Sequence, residues 1–328
     1  MLNRIPPYQT AHFANHVRLR QEILDFATAG RSAQPRIAVL AGPPGIGKTA
    51  LALTTAHDLD DQDIRLYTKL DTDPEAPGAA SESLRHFLTD LGMAPESIPD
   101  RVAARARAFR ALTAGRSVLL IIDGASTAAQ VRALLPADGL VLVTEAHPLS
   151  LAARLFTLPP LDADAARTLL APPDDVEPDL IAKIIEQAEG LPLALRVAAA
   201  LLARPDRPAF TEDNILTTAY RTLDDPAQRC YRALALPGTT AETSLAALTA
   251  ALHDTDTRTA MNDLVAARLV DEPTPGRYQT CELVRQHART IEPADLDAAT
   301  RLRDHYLTRA AAAYRESNRW PQAEPWLA

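Results

Sequence analysis

The chain has 328 residues, 47% of them apolar and 23% charged, a balance typical of a folded protein with two to four cores. Its net charge of −8, from Lys+Arg 34 against Asp+Glu 42, argues against nucleic acid or an anionic membrane as the main partner. With only two cysteines, a disulfide framework is not expected. The sequence has no signal-like apolar segment at the N-terminus and no apolar run of membrane-spanning length, which predicts a cytoplasmic protein.

Five short β-branched or Leu-rich runs alternate with helical patterns in the first half of the chain. The runs are RIAVLAG, DIRLYTKL, SVLLIID, GLVLVTE and RLFTL. Because each run is apolar on both faces, we predict an α/β domain with a parallel five-stranded sheet covered by helices.

A helical region follows the last of these runs, with Asp162 predicted as an N-cap. The segment RPDRPAFTED then predicts a linker. Short helices and a two-stranded wing around VDEPTPGRYQT are expected next, and a last amphipathic helix is expected near residues 296–314.

A glycine-rich segment, GPPGIGKT, joins the first strand to the following helix and matches G-x-x-x-x-G-K-[ST]. Glycines let backbone N–H groups point inward, while Lys48 is expected to reach the β- and γ-phosphates and Thr49 to ligate Mg²⁺. Lysine occurs at only two other positions, so its use here indicates a need for a compact ammonium. The predicted phosphate-binding residues are Gly42, Pro43, Pro44, Gly45, Ile46, Gly47, Lys48, Thr49 and Ala50.

An acidic residue follows the buried run SVLLII. We predict that Asp123 holds Mg²⁺ through a water molecule, as the partner of Thr49. Gly124 comes next, where hydrolytic P-loop proteins often carry an acid or an amide that orients water. With no side chain, Gly124 can do neither.

The order of these motifs resembles the NB-ARC class of STAND nucleotide switches, which includes plant immune receptors, the apoptosome scaffold and actinobacterial regulators. The phosphate loop and strand acid are followed by LVLVT, GLPLAL and GRYQTCELVRQHA, and the match runs over residues 5–314. ALLPADGLVLVTEAHPL and EGLPLALRVAAALLARP look most like the actinobacterial branch.

This resemblance implies a P-loop domain, a small helical domain and a winged-helix domain, closed over ADP. The implied ranges are 1–157, 158–212, 213–292 and, as the start of a further domain, 293–328. It also implies an adenine contact from Pro192 and Leu193 of GLPL and from Phe13, Asn15 and His16. His16 stands where relatives carry arginine, which leaves that side-chain contact open.

Three positions depart from the family near the terminal phosphates. Glu145-Ala146 replaces a Ser-Arg pair whose arginine senses the γ-phosphate. Cys281-Glu282 replaces a His-Asp pair whose histidine meets the ADP β-phosphate, so Cys281 is predicted to lie there. Together with Gly124, these changes predict weak or absent ATP hydrolysis. Glu145 is the candidate catalytic residue, either as a substitute base or as a like charge that disfavours ATP.

The leading interpretation is a signalling switch that binds ADP or ATP with Mg²⁺ and is a monomer when ADP-bound. The alternatives are an active ATPase of the AAA+ or origin-recognition type, a DNA-binding transcriptional regulator, and a scaffold that binds no nucleotide. Nine acidic residues and eight arginines in residues 217–291 disfavour specific DNA binding. Any sensor or effector is expected beyond residue 328 or on a partner protein, and no membrane partner is expected.

Overall fold

The computed structural model describes residues 2–6, 16–29, 34–59, 61–70, 78–145, 149–211, 213–237, 239, 241–253, 255–291 and 295–316. The chain divides into two compact units. The first comprises Met1–Ala171 and Ala188–Leu195, and the second comprises Pro172–Gln187 and Arg196–Ala328. The four-domain division based on the sequence stays a prediction. Within the described residues, no helix has the length and apolar character needed to cross a bilayer.

The first unit contains a six-stranded parallel sheet in the order β1-β3-β4-β5-β2-β6. Its strands are β1 (Leu2–Asn3), β2 (Arg36–Ala41), β3 (Ile64–Lys69), β4 (Val118–Ala125), β5 (Leu140–Glu145) and β6 (Arg154–Thr157). The five predicted runs all form strands. The predicted count of five was wrong, because Leu2 and Asn3 also pair with Ile64 and Arg65, and two residues are too short to give a periodic signal.

Among the described residues, six α-helices belong entirely to the first unit: α1 (Val17–Thr28), α2 (Lys48–Asp58), α3 (Ala79–Asp90), α4 (Val102–Thr113), α5 (Ala128–Leu134) and α6 (Ala163–Leu170). The predicted N-cap of α6 is confirmed, since Asp162 Oδ1 accepts a hydrogen bond from the Ala165 N–H at 2.8 Å.

Helices pack on both faces of the sheet, so alternate residues of β4 enter different cores. Leu120 and Ile122 belong to a cluster with side chains of α3, α4 and α5. Leu119 and Ile121 belong to a second cluster with side chains of α1 and α2. This two-sided burial explains why the run reads as continuously apolar.

The parallel arrangement brings the carboxyl ends of several strands to one edge of the sheet. In the ladder, Ala41 of β2 pairs with Glu145 of β5, and Lys69 of β3 pairs with Asp123 of β4. Because β5 lies between β2 and β4, its last residues separate the strand that precedes the phosphate loop from the strand that carries the acid.

The second unit is mostly helical. Its helices are α7 (Pro178–Gln187), α9 (Ile215–Arg221), α10 (Asp225–Ala233), α11 (Leu245–Ala251), α12 (Thr257–Ala266), α13 (Glu282–Ile291) and α14 (Leu296–Glu316), while α8 (Pro192–Leu202) begins in the first unit. Four of them begin with a side-chain N-cap. The caps are Asn214, Asp224, Ser244 and Asp256.

A small antiparallel sheet completes the second unit in the order β7-β9-β8. The predicted hairpin is formed by β8 (Asp271–Thr274) and β9 (Arg277–Gln279), and β7 (Glu242–Ser244) adds a third strand that was not predicted. Met261 and Leu264 of α12 are fully buried, so this helix contributes to the core of the second unit.

A histidine links three helices of the second unit. The Tyr231 hydroxyl lies 2.6 Å from His287 Nδ1, and Thr217 Oγ1 lies 2.9 Å from His287 Nε2. Burial lowers the pKa of His287. The neutral imidazole, which can donate at one nitrogen and accept at the other, therefore suits its position between two hydroxyl groups.

Candidate functional site

The glycine-rich loop lies between β2 and α2, as predicted. Gly47 is the N-cap of α2 with φ of 100°, a conformation that favours glycine, and no side chain caps this helix end. A Cβ on Gly42 would lie 3.1 Å from Ile46 Cγ2 and 3.4 Å from the Leu158 oxygen. Position 42 therefore has little room for a side chain, and no side-chain cap competes with a ligand at the start of α2.

Lys48 lies over this loop. Its Nζ donates hydrogen bonds to the Gly42 oxygen at 2.7 Å and to the Pro43 oxygen at 3.0 Å. The ammonium is thus held beside the backbone that would surround an anion. Together with the positive end of the α2 dipole, it makes this end of the helix favourable for phosphate.

Asp123 accepts hydrogen bonds from three hydroxyl groups that lie on three different elements. Thr49 of α2 donates to Oδ1 at 2.7 Å, and Thr144 of β5 donates to the same oxygen at 2.6 Å. Tyr67 of β3 donates to Oδ2 at 3.1 Å. Asp123 is only 5% exposed, so the structure brings together the two predicted magnesium residues, Thr49 and Asp123, in a buried polar cluster.

Thr144 and Tyr67 were not predicted from the sequence. The sequence could have identified Thr144 only by its position after the apolar run LVLV, because a hydroxyl group buried there needs a hydrogen-bond partner. Its Oγ1 also accepts a hydrogen bond from the Gly124 N–H at 2.9 Å. That geometry accompanies an irregularity in the pairing of β4 with β5 and a Gly124 φ of 78°.

Glu145, the candidate catalytic residue, is buried at the end of β5. It pairs in the ladder with Ala41, immediately before the loop, and with Ala125 of β4. Ala146 lies outside the described residues. The structure therefore places Glu145 at the carboxyl edge of the sheet, and its catalytic role stays a prediction.

The GLPL turn lies against the phosphate loop within the first unit. The Leu193 N–H donates to the Gly45 oxygen at 3.3 Å, and a Cβ on Gly47 would lie 4.0 Å from Pro192 Cγ. The turn is itself held by the segment after β6, since the Leu161 N–H donates to the Gly190 oxygen at 2.9 Å. Pro192 and Leu193 are thus close to the loop, whereas their contact with adenine stays a prediction.

The remaining predicted residues lie elsewhere or beyond the described part. His16 is the N-cap of α1 with φ of 67°; burial lowers its pKa and the negative charge of Asp162 offsets part of that shift. Phe13 and Asn15 lie outside the described residues. Cys281 is partly buried in the second unit, where its carbonyl accepts from the Val284 N–H at 3.0 Å.

The donor set fits a nucleotide with Mg²⁺. The tight loop, the uncapped start of α2 and Lys48 offer groups for phosphate, while hydroxyl and carboxylate oxygens are ligands that Mg²⁺ accepts. No cluster of three His, Cys, Asp or Glu side chains occurs in the described ranges. A metal here would accordingly take most of its ligands from phosphate and water.

This parallel-sheet P-loop fold is similar to that of the STAND class of signal-transduction ATPases. The crystal structure of a STAND protein with a tetratricopeptide repeat sensor from Pyrococcus horikoshii matches 94% of this chain and 47% of its own, with a TM-score of 0.65 and 16% identity. At that identity, the likeness concerns the fold alone.

In sequence, the chain is similar to two regulatory proteins named AfsR. The protein from Streptomyces coelicolor is 32% identical over 359 residues, covering 94% of this chain and 36% of the relative. The protein from Streptomyces griseus is 31% identical, covering 85% of this chain and 33% of the relative. The chain thus spans about a third of the length of these relatives. No family model matches it. These similarities therefore concern part of two regulatory proteins and the fold of a STAND protein.

Proposed function

We propose that this chain is a nucleotide-binding switch of the NB-ARC branch of the STAND class, which closes over ADP and hydrolyses ATP slowly or not at all. One observation carries the proposal: Thr49, at the start of the phosphate-loop helix, donates a 2.7 Å hydrogen bond to the buried Asp123. Phosphate-binding and metal-binding groups therefore belong to one connected cluster.

The proposed roles follow from the chemistry of these groups. Backbone N–H groups among residues 42–50, excluding the prolines at 43 and 44, which have no N–H, would bind the phosphates. Lys48 would exchange its hydrogen bonds with the Gly42 and Pro43 oxygens for the terminal phosphate oxygens. A bound Mg²⁺ would neutralise phosphate charge. The Thr49 oxygen would be its direct ligand, and Asp123 would hold it through water.

The base would lie beside the GLPL turn. Pro192 and Leu193 support this role, because the Leu193 hydrogen bond to Gly45 fixes the turn next to the loop. We further propose that Phe13, Asn15 and His16 contact the adenine and that Cys281 faces the β-phosphate in the closed form. These roles are supported by the motif resemblance.

Slow hydrolysis is proposed because the site lacks the usual groups for orienting water and stabilising charge. Gly124 has no side chain, and its N–H already donates to Thr144. Ala146 stands where relatives carry the sensor arginine, a type of contact worth a large factor in phosphoryl transfer. Glu145 would then act either as a substitute base or as a charge that disfavours ATP.

We propose that residues 158–212 form the small helical domain and residues 213–292 the winged-helix domain of such a switch. We propose that the module is monomeric with ADP, binds no specific DNA sequence, and responds to a sensor domain or partner protein. The P. horikoshii structure, described as carrying a tetratricopeptide repeat sensor, supports a sensor of the repeat type.

Titration calorimetry with ADP and Mg²⁺ tests the nucleotide site. Wild-type protein should bind ADP, and Lys48→Ala should weaken binding by more than about tenfold because a charge facing the phosphates is lost. Lys183→Ala, on α7 of the second unit, is the matched control and should bind normally. Equal ADP affinity for wild type and Lys48→Ala would contradict the proposal.

A further inference from the structure

We propose that Tyr67 is a positioning residue for the magnesium-binding carboxylate of Asp123. This inference rests on the proposed function and adds a role for a residue that belongs to none of the sequence motifs. The observation behind it is the hydrogen bond from the Tyr67 hydroxyl to Asp123 Oδ2 at 3.1 Å.

The three hydroxyl donors bind both oxygens of the Asp123 carboxylate. Thr49 and Thr144 both donate to Oδ1, at 2.7 and 2.6 Å. Two donors on one oxygen leave the plane of the carboxylate poorly fixed, because the terminal torsion of aspartate is broad. Tyr67 holds the other oxygen, so the carboxylate is fixed at both ends.

The sheet explains why a tyrosine two residues from the acid's ladder partner can reach it. Asp123 pairs with Lys69, and Tyr67 pairs with Ile121. Because residues two apart in a strand lie on the same face, Tyr67 and Asp123 share one face of the sheet. Tyr67 and Ile121 contribute to the same apolar cluster beneath the carboxyl edge. The ring packs there, and the long phenol brings its hydroxyl up to Asp123.

The hydrogen-bonding capacity of the carboxylate gives the functional consequence. An ionised carboxylate has about four acceptor sites, and the hydroxyl groups use three, two on Oδ1 and one on Oδ2. A metal-bound water would therefore donate to the remaining site on Oδ2. Tyr67 determines where that site points, so its hydroxyl should affect the magnesium-dependent part of nucleotide binding and leave the phosphate-loop part unchanged.

The test compares ADP affinity with Mg²⁺ and with excess EDTA, measured by calorimetry on the full chain. The gain in affinity that Mg²⁺ gives the wild type should fall about tenfold in Tyr67→Phe, the lower end of the range for residues that orient metal ligands. Affinity in EDTA and the melting temperature should stay near the wild-type values. Tyr67→Leu, which also lacks the hydroxyl, should lose the same magnesium-dependent gain.

Thr68→Val is the matched control. It removes a hydroxyl from the adjacent residue, whose Oγ1 lies 2.7 Å from Ser83 Oγ, and should leave the gain unchanged. The proposal is overturned if Tyr67→Phe keeps the full magnesium gain, or if both affinities fall equally together with the melting temperature, since that pattern indicates a structural role. Absence of ADP binding by the wild type would instead refute the proposed function on which this inference rests.

Discussion

The GLPL turn provides a sharp test of how the phosphate loop is supported. Gly190 has φ of 66°, and a Cβ there would lie 2.6 Å from the Leu161 oxygen and 2.8 Å from Pro160 Cβ. Gly190→Ala must therefore displace either the turn or the 160–161 backbone. Gly115 is a suitable control because its φ is 73°, yet an added Cβ would meet nothing within 4 Å in the described structure.

The two variants share one cost and differ in another. A left-handed backbone costs alanine about 1–2 kcal/mol of folding free energy, and both substitutions carry this cost. Gly190→Ala adds a steric cost typical of overpacking, about 1–3 kcal/mol. For a unit of this size, that additional cost corresponds to a melting temperature lower by about 2–12 °C than that of Gly115→Ala.

Thermal denaturation followed by circular dichroism measures this difference, and ADP calorimetry measures its effect on the site. Gly190→Ala should weaken ADP binding because the shifted turn pulls Leu193 away from the Gly45 oxygen. Gly115→Ala should bind ADP normally. If the two variants melt together and bind ADP alike, the turn does not support the loop in the way the hydrogen bonds indicate.

Two further predictions concern pH and turnover. Burial places the pKa of His287 in the folded protein below its ordinary value of about 6.5. Between these two pKa values the unfolded chain binds more protons than the folded protein. The contribution of neutral His287 to the free energy of unfolding is therefore fully present above about pH 6.5 and is lost as the pH falls below it. On acidification, the urea midpoint of His287→Gln should therefore fall less than that of the wild type. His16, whose pKa is also lowered, should give a remaining decrease of the same sign in both proteins. Equal decreases of the urea midpoint in the two proteins would contradict the role of His287. Phosphate release from ATP should not exceed about one per minute, against about ten per second for a median enzyme, with Lys48→Ala as the contamination control. Several turnovers per second that Lys48→Ala abolishes would mean that Glu145 or another group carries out catalysis.

Local spacing in the sequence predicted the parts of the site that lie close together in the chain. The loop, its helix and the strand acid each depend on a few consecutive residues, so residues 42–49 and Asp123 could be identified directly. Tyr67 could not, because its role depends on the register between β3 and β4, which a single strand pattern does not specify. Likewise, the first strand has two residues and owes its existence to its pairing partner.

The GLPL turn lies between these cases. Its resemblance to a known motif marked Pro192 and Leu193 as functional, but the hydrogen bond from Leu193 to Gly45 joins residues far apart in the chain. Gly190 is glycine because it approaches the Leu161 backbone closely, a requirement that appears only once both segments are folded.

The two edges of the parallel sheet bear on how the protein avoids aggregation. Both outer strands are short, with two residues in β1 and four in β6, whereas the four inner strands have six to eight. Short edges offer few hydrogen bonds to the edge of another molecule, which limits intermolecular strand pairing. Losing Leu2 and Asn3 would expose the longer β3 as a new edge of the sheet. Removal of these two residues would therefore first reduce solubility, although they lie at a distance from the phosphate loop.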